Sequence, residues 1–190
     1  LDLSAMKVDF ITCSAHKIHG PKGVGFLYVR GENKLNPLFF GGGQERGFRP
    51  GTENLPLVLG MEKALALAYD ALERNEDEIK SRRLELIQLL RAEITGLVFN
   101  GSVTKFMSTV VSVQLDTTMD AGMLLFQLDL KGVCVSGGSA CASGSLKGSH
   151  VLSAIQGGLH MPSLRFSLSR NTTSEELRYA VDCLKQVVQK

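Results

Sequence analysis

Short apolar runs rich in β-branched and aromatic residues alternate along this chain with longer segments of helical periodicity. Val8–Cys13 and Gly25–Val29 are runs of the first kind, and the turn Gly20-Pro21-Lys22-Gly23 is short enough to make them neighbours in one sheet. A long helix is expected from about Leu57 onward, because apolar residues there recur on one face. The alternation predicts an α/β fold.

The C-terminal part of the chain predicts a separate α+β unit. The charged segment Glu73–Lys80 indicates a boundary, so we expect domains at 1–72 and 73–190. A second long helix continues to about Ile94, and Thr173 with Glu176 forms a capping box before the last helix. The other expected elements are strands at Ser108–Leu115, Gly132–Val135 and Leu164–Ser169, and helices at about Asp120–Lys131 and Ser174–Gln189.

Composition excludes several classes of function. The chain has 190 residues, 44% of them hydrophobic, which is enough for a core. The 21 Lys and Arg residues against 19 Asp and Glu form no block of one charge, which argues against nucleic-acid and membrane partners. No apolar run has the roughly 20 residues of a membrane span. The start without Met, close to a strand pattern, leads us to expect a cleaved or truncated product.

The cysteines are scattered through the chain, with no C-x-x-C pair and no disulfide-scaffold density. They are therefore expected to be free thiols in a reducing, cytoplasmic compartment. They are Cys13, Cys134, Cys141 and Cys183.

Lys17 stands at the end of an apolar run, in ITCSAHKIHGPKG. A lysine amine held at such a position can condense with an aldehyde, and hydrogen-bond donors from Ser14 and His16 would hold a phosphate beside it. Pyridoxal phosphate meets both demands. An ordinary surface lysine is the alternative. The His16 and His19 spacing also suggests a metal, but no carboxylate or thiol stands at ligand spacing, so none is expected.

The segment GGGQERGFRPGTENLP, Gly41–Pro56, combines glycines with Arg46 and Arg49 and leads into a helix start near Thr52. Backbone N–H groups and a helix N-terminus in such a loop are suited to binding an anion. The segment matches neither of the common nucleotide-binding glycine motifs, and a purely structural loop remains the alternative.

Cys141 lies among Gly, Ser and Ala in VSGGSACASGS. Nothing around it forms a core, so this is where a reactive thiol is expected. Cys13, Cys134 and Cys183 lie in strand or helix patterns, which predicts buried and inert thiols.

Arg165 alternates with apolar residues in SLRFSLSRNTT, so its side chain points to the opposite face of the predicted strand. A guanidinium there can hold a carboxylate by two parallel hydrogen bonds. An ordinary salt bridge is the alternative.

In this order, the motifs resemble those of the cysteine desulfurases, pyridoxal-phosphate enzymes of the class V aminotransferase group. The resemblance runs from DLSAMKVDFITCSAHKIHGPKG to RFSLSRNTTSEEL. It implies the fold type I of pyridoxal-phosphate transferases, with the end of the large cofactor domain at 1–72. The small C-terminal domain, which carries the cysteine loop, would then occupy 73–190.

The resemblance also implies roles in binding the cofactor. Lys17 corresponds to the lysine that carries pyridoxal phosphate, and Ser14 and His16 correspond to ligands of its phosphate. Thr52 is similar to the residue that reaches the cofactor phosphate of the other subunit in a homodimer.

The implied reaction removes sulfur from L-cysteine and releases L-alanine. Arg165 would bind the substrate carboxylate, and Cys141 would take the sulfur as a persulfide. An acceptor or scaffold protein would then receive it, for iron–sulfur cluster assembly or other sulfur transfer. The run from Cys141 to a helix near His150–Ile155 is similar to the longer-loop branch of the family, which supplies such proteins.

Family members are longer than this chain, and their first half supplies a stacking histidine and an aspartate at the pyridine nitrogen. The chain is therefore expected to act only with a missing N-terminal half. Two alternatives remain. One is a selenocysteine lyase or related β-eliminating enzyme. The other is an inactive interaction module, which would need none of Lys17, Cys141 and Arg165.

Overall fold

The computed structural model describes residues 2–31, 35–102, 105–137, 149–155 and 161–189. The chain divides into two compact units, Leu1–Leu72 and Glu73–Lys190.

The first unit is built on an antiparallel pair of strands. β1 (Phe10–Ser14) pairs with β2 (Gly25–Val29), so the neighbouring strands expected from the sequence are confirmed. Short 3-10 helices follow at Ala15–Ile18 and Gln44–Gly47, and the unit continues with α1 (Leu55–Asp70).

Close backbone approaches fix the turn after β1. A Cβ atom on Gly25 would lie 2.3 Å from the carbonyl oxygen of Cys13, so only glycine fits beside that strand. A Cβ atom on Gly20 would lie 3.0 Å from the Cβ of Ala15 and 3.1 Å from the Cβ of Ala64. Small residues therefore let α1 pack directly against the first 3-10 helix.

Helix α1 begins where Asn54 caps it, because the Asn54 Oδ1 accepts a hydrogen bond from the Leu57 N–H at 3.3 Å. The expected apolar face of this helix is half-buried, at Leu57, Met61, Ala64, Leu65 and Ala68. A second apolar set on the helix is open to solvent, with Leu55 61% and Leu59 57% exposed. No side chain of α1 is fully buried.

The second unit contains a three-stranded antiparallel sheet in the order β3-β4-β5. Its first helix, α2, contains the charged segment that indicated a boundary. The elements are α2 (Leu72–Glu93), β3 (Leu97–Phe99), β4 (Val110–Leu115), α3 (Ala121–Asp129), α4 (His150–Ile155), β5 (Ser163–Ser167) and α5 (Ser174–Val188).

Alternation along β4 and β5 gives this sheet one apolar face, which packs against α2, α3 and α5. The capping box of α5 is confirmed, with the Glu176 N–H donating to Thr173 Oγ1 at 3.2 Å and the Thr173 N–H donating to Glu176 Oε2 at 2.8 Å. The core includes Leu86, Leu90, Val111, Val113, Leu115, Leu124, Leu128, Leu164, Phe166, Leu177, Val181 and Leu184.

The strand predicted at Gly132–Val135 is wrong. Gly132 has a φ of 75° and ends α3, while the Val133 N–H donates to the Leu128 carbonyl at 2.9 Å. These bonds close the helix C-terminus, so the backbone there is not free to pair with a strand. Strand pairing of the described residues that follow α3, up to 137, is limited to a bridge between Ser136 and Arg165. The short strand β3 was not predicted.

Neither a membrane-spanning helix nor a metal cluster occurs in the residues that the structure describes. None of the helices there is both long enough and apolar enough to cross a bilayer. No three His, Cys, Asp or Glu side chains in these ranges converge so as to hold a metal ion.

Candidate active site

Lys17 lies on the 3-10 helix that directly follows β1. The buried Ala15 anchors this turn, and its carbonyl accepts a hydrogen bond from the Gly20 N–H at 2.9 Å. His19, with a φ of 63°, ends the helix in the left-handed region. The backbone around Lys17 is thus held on both sides, which fixes where its side chain starts.

The side chains of Ser14, His16 and Lys17 are all exposed on this turn. Among the described residues, none of the three makes a side-chain hydrogen bond or an ion pair. One hydroxyl, one imidazole and one amine therefore lie within four consecutive residues and are not committed to protein partners.

The glycine-rich loop holds Arg46 in an unusual conformation within the 3-10 helix Gln44–Gly47, with a φ of 58°. Left-handed backbone at a non-glycine residue is enriched at functional sites. The Arg49 guanidinium carbon lies 4.9 Å from the centre of the Phe39 ring, so this arginine is engaged by an aromatic contact. Thr52 is exposed just before α1.

Arg165 is half-buried on β5, on the face opposite its apolar neighbours, as predicted. Its Nη2 lies 3.4 Å from the Ser136 Oγ, and its Nε is buried without a hydrogen-bond partner among the described residues. None of the ion pairs in those residues includes Arg165, which disfavours the salt-bridge alternative there.

Ser136 is a neighbour of Arg165 that the sequence did not reveal. It lies 29 residues away in the chain, and both the bridge and the side-chain contact depend on the tertiary fold. The one available signal was its position at the start of the segment that contains Cys141.

Cys141 lies outside the described residues. Of the other cysteines, Cys183 is buried as predicted and Cys13 is half-buried. Cys134 is exposed, so the prediction of a buried thiol is wrong there. The reason is that the expected strand at 132–135 does not form, so no neighbouring strand covers the side chain.

The structure brings Ser14, His16 and Lys17 together on one turn of the first unit. Thr52 belongs to the same unit, in the segment before α1, and Arg165 belongs to the second unit.

Comparison with protein families identifies the group to which this chain belongs. The family model described as aminotransferase class-V matches residues 1–179. The chain belongs to this family. The predicted resemblance to class-V aminotransferases is therefore confirmed.

Relatives of this class-V chain include proteins named as cysteine desulfurases. Cysteine desulfurase IscS of Dictyoglomus turgidum is 38% identical over 192 residues, covering 100% of this chain and 48% of the relative. A cysteine desulfurase of Bradyrhizobium diazoefficiens is 39% identical over 194 residues, covering 99% of this chain and 48% of the relative. The chain thus spans about half the length of the curated relatives it matches.

Solved structures of NifS-like proteins share the fold. One from Rickettsia africae superposes with a TM-score of 0.87 at 28% identity, covering 98% of this chain and 49% of that one. Another NifS-like protein gives a TM-score of 0.85 at 30% identity, covering 97% of this chain and 47% of that one. The predicted α/β fold of fold type I is confirmed.

Proposed function

We propose that this chain is the C-terminal part of a pyridoxal-phosphate-dependent cysteine desulfurase. The observation that carries the proposal is the turn on which Ser14, His16 and Lys17 present three uncommitted polar groups. Identity of 38% to a cysteine desulfurase over the whole chain supports it. The free cysteines support a reducing, cytoplasmic setting.

The groups on this turn fit pyridoxal phosphate. The Lys17 amine is the kind of group that condenses with its aldehyde, and the Ser14 hydroxyl and His16 imidazole can donate hydrogen bonds to its phosphate. Since these side chains have no other partner among the described residues, the cofactor would displace no protein contact. Thr52 would reach the phosphate of the cofactor in the second subunit of a homodimer.

Two residues of this chain would act on the amino-acid substrate. Pyridoxal phosphate, when bound, withdraws electrons from the α-carbon and makes its hydrogen acidic. The Lys17 amine would take that proton as a general base. The Arg165 guanidinium, whose buried Nε has no partner among the described residues, would hold the substrate carboxylate.

Cys141 would take the sulfur. Its thiolate attacks the substrate sulfur, and a new S–S bond forms as the C–S bond breaks. The electron pair of the broken bond stays with the carbon skeleton, which leaves as L-alanine after proton uptake. The persulfide on Cys141 would pass to an acceptor or scaffold protein, for iron–sulfur assembly or other sulfur transfer.

The first unit supports a requirement for an N-terminal half. Its sheet has two strands, each with an unpaired edge among the described residues, and α1 has an exposed second apolar set. Strand edges and all-round apolar helices are normally covered in a finished fold. We therefore propose that the active enzyme contains the half that the relatives have and this chain lacks.

Borohydride reduction of the native preparation, followed by peptide mapping, tests the cofactor assignment. A phosphopyridoxyl adduct is expected on Lys17, and Lys17→Ala should abolish the adduct and the cofactor absorbance. Lys22→Ala is the matched control, because Lys22 is an exposed lysine on the next turn. An adduct on another lysine would contradict the assignment.

A second experiment tests the chemistry. Cys141→Ala should abolish the persulfide and keep the cofactor absorbance, whereas loss of absorbance would show that Cys141 is wrongly assigned. Alanine release from L-cysteine and from L-selenocysteine should be compared on the same preparation. Release from selenocysteine alone would replace the proposal with a selenocysteine lyase, and release from neither would favour an interaction module.

A further inference from the structure

The backbone of Arg165 is tied to one residue far away in the chain. The Arg165 N–H donates to the Ser136 carbonyl at 2.6 Å, and the Ser136 N–H donates to the Arg165 carbonyl at 3.1 Å. This pair of bonds places the two residues directly opposite each other, so that their side chains leave on the same face of the sheet.

The guanidinium of Arg165 uses the same neighbour. Its Nη2 donates to the Ser136 Oγ at 3.4 Å, and this is its one side-chain hydrogen bond to the described residues. The buried Nε has no hydrogen-bond partner in the part of the chain that the structure describes. A buried N–H without a partner is costly, and an anion that accepted a hydrogen bond from the Nε would remove that cost.

Two other polar side chains on this face make hydrogen bonds to Asn100. Ser112 lies opposite Arg165 in the β4–β5 register, but its Oγ accepts from the Asn100 Nδ2 at 3.1 Å. The Gln114 Nε2 donates to the Asn100 Oδ1 at 2.6 Å. Among the described residues, Ser136 is the one whose side chain accepts a hydrogen bond from the Arg165 guanidinium.

We propose that Ser136 is a positioning residue for substrate binding, which orients the Arg165 guanidinium toward the carboxylate of the amino-acid substrate. The inference rests on the proposed function, because it takes the ligand of Arg165 to be that carboxylate. Ser136 also precedes Gly137, where an added Cβ atom would lie 3.1 Å from Leu125 Cδ1. The backbone next to Ser136 thus approaches the Leu125 side chain of α3 closely.

The test measures steady-state kinetics with L-cysteine on the complete enzyme, in which this chain is joined by its N-terminal half. Ser136→Ala keeps the backbone bridge and removes the hydroxyl, so the KM should rise about fivefold while kcat changes less than about twofold. Ser136→Thr restores a hydroxyl and should recover most of the loss. Ser112→Ala is the matched control, since it removes a hydroxyl from the same face that is bonded to Asn100 and not to Arg165, and its KM should stay unchanged.

Arg165→Lys separates the two proposals. If Arg165→Lys raises the KM and Ser136→Ala does not, the role of Ser136 is overturned and the proposed function stands. If Arg165→Lys leaves the KM unchanged, Arg165 does not bind the substrate carboxylate, and both the inference and that assignment fail. In the double variant, Ser136→Ala should add almost nothing to Arg165→Lys, because the hydroxyl acts through the guanidinium. Additive effects would overturn the inference.

Discussion

The two units of this chain bury apolar side chains to very different extents. In the second unit, leucine and valine side chains from three helices and two strands are almost completely shielded from solvent. In the described part of the first unit, Ala15 alone is fully buried. In addition to the open apolar set of α1, the first unit exposes Phe40 at 88% and Leu38 at 83%.

This contrast shows which part of the fold is self-sufficient. Burial of large apolar side chains is the main favourable term in folding, so the second unit contains its own source of stability. The first unit carries Lys17 but lacks such a source within this chain. The proposed cofactor lysine therefore lies on the part of the chain that depends most on further structure.

Hydrogen exchange should give the sharpest form of this comparison. The Leu115 N–H donates to the Pro162 carbonyl at 3.0 Å in the second unit, and the Arg30 N–H donates to the Asp9 carbonyl at 2.8 Å in the first unit. In the chain alone, the Arg30 amide should exchange about 1000-fold faster, because a two-stranded hairpin is marginally stable by itself. Adding the N-terminal half should slow it. Equal exchange rates for both amides would break the comparison.

Truncation of one leucine in each unit should lower the free energy of unfolding by different amounts. Leu184 is fully buried on α5, so Leu184→Ala should lower the free energy of unfolding in urea by about 3 kcal/mol. Leu59 on α1 is 57% exposed, and Leu59→Ala should change that free energy by less than about 0.5 kcal/mol. A similar loss for both variants would mean that α1 is buried in solution.

Substitutions at the two helix caps form a matched pair with a smaller expected effect. Thr173→Ala removes half of the α5 capping box and should lower the free energy of unfolding of the second unit by about 1 kcal/mol. Asn54→Ala removes the cap of α1 and should leave that same value unchanged, because the two helices belong to different units. Urea titrations followed by circular dichroism test both, and an equal shift would indicate one cooperative unit.

The exposed apolar residues should affect association more than stability. Phe40→Ser should change the free energy of unfolding by less than about 0.5 kcal/mol, because the exposed ring makes few contacts that the substitution could remove. The same change should reduce self-association of the chain in sedimentation velocity experiments. Unchanged association would show that this surface is not what drives it.

Local signals predicted the helices well. The Thr173 and Glu176 capping box with its apolar stripe predicted α5 almost to the residue, because all of that information lies within one helix. The α1 pattern identified its half-buried face but missed the exposed second one, since a pattern of side chains does not say how much structure will cover it.

Contacts between distant residues could not be predicted in the same way. The apolar residues at 133 and 135 favoured a strand, yet the helix cap at Gly132 competes for the same backbone groups. The position of Arg165 on the polar face follows from alternation, whereas its contact with Ser136 depends on tertiary pairing. The cofactor role of Lys17 stays a prediction from its local motif, and the lack of burial around it was not predicted.

The close approach at Gly25 has a consequence for how substitutions would be tolerated. Any side chain there meets the Cys13 carbonyl oxygen, whereas Gly43 has an ordinary φ of −82° and no atom within 4 Å of an added Cβ. In a library that randomises each position in turn, selection for function should retain only glycine at 25 and admit many residues at 43. Invariance at position 25 would then record a constraint of backbone packing near Lys17, and not a chemical role for the glycine itself.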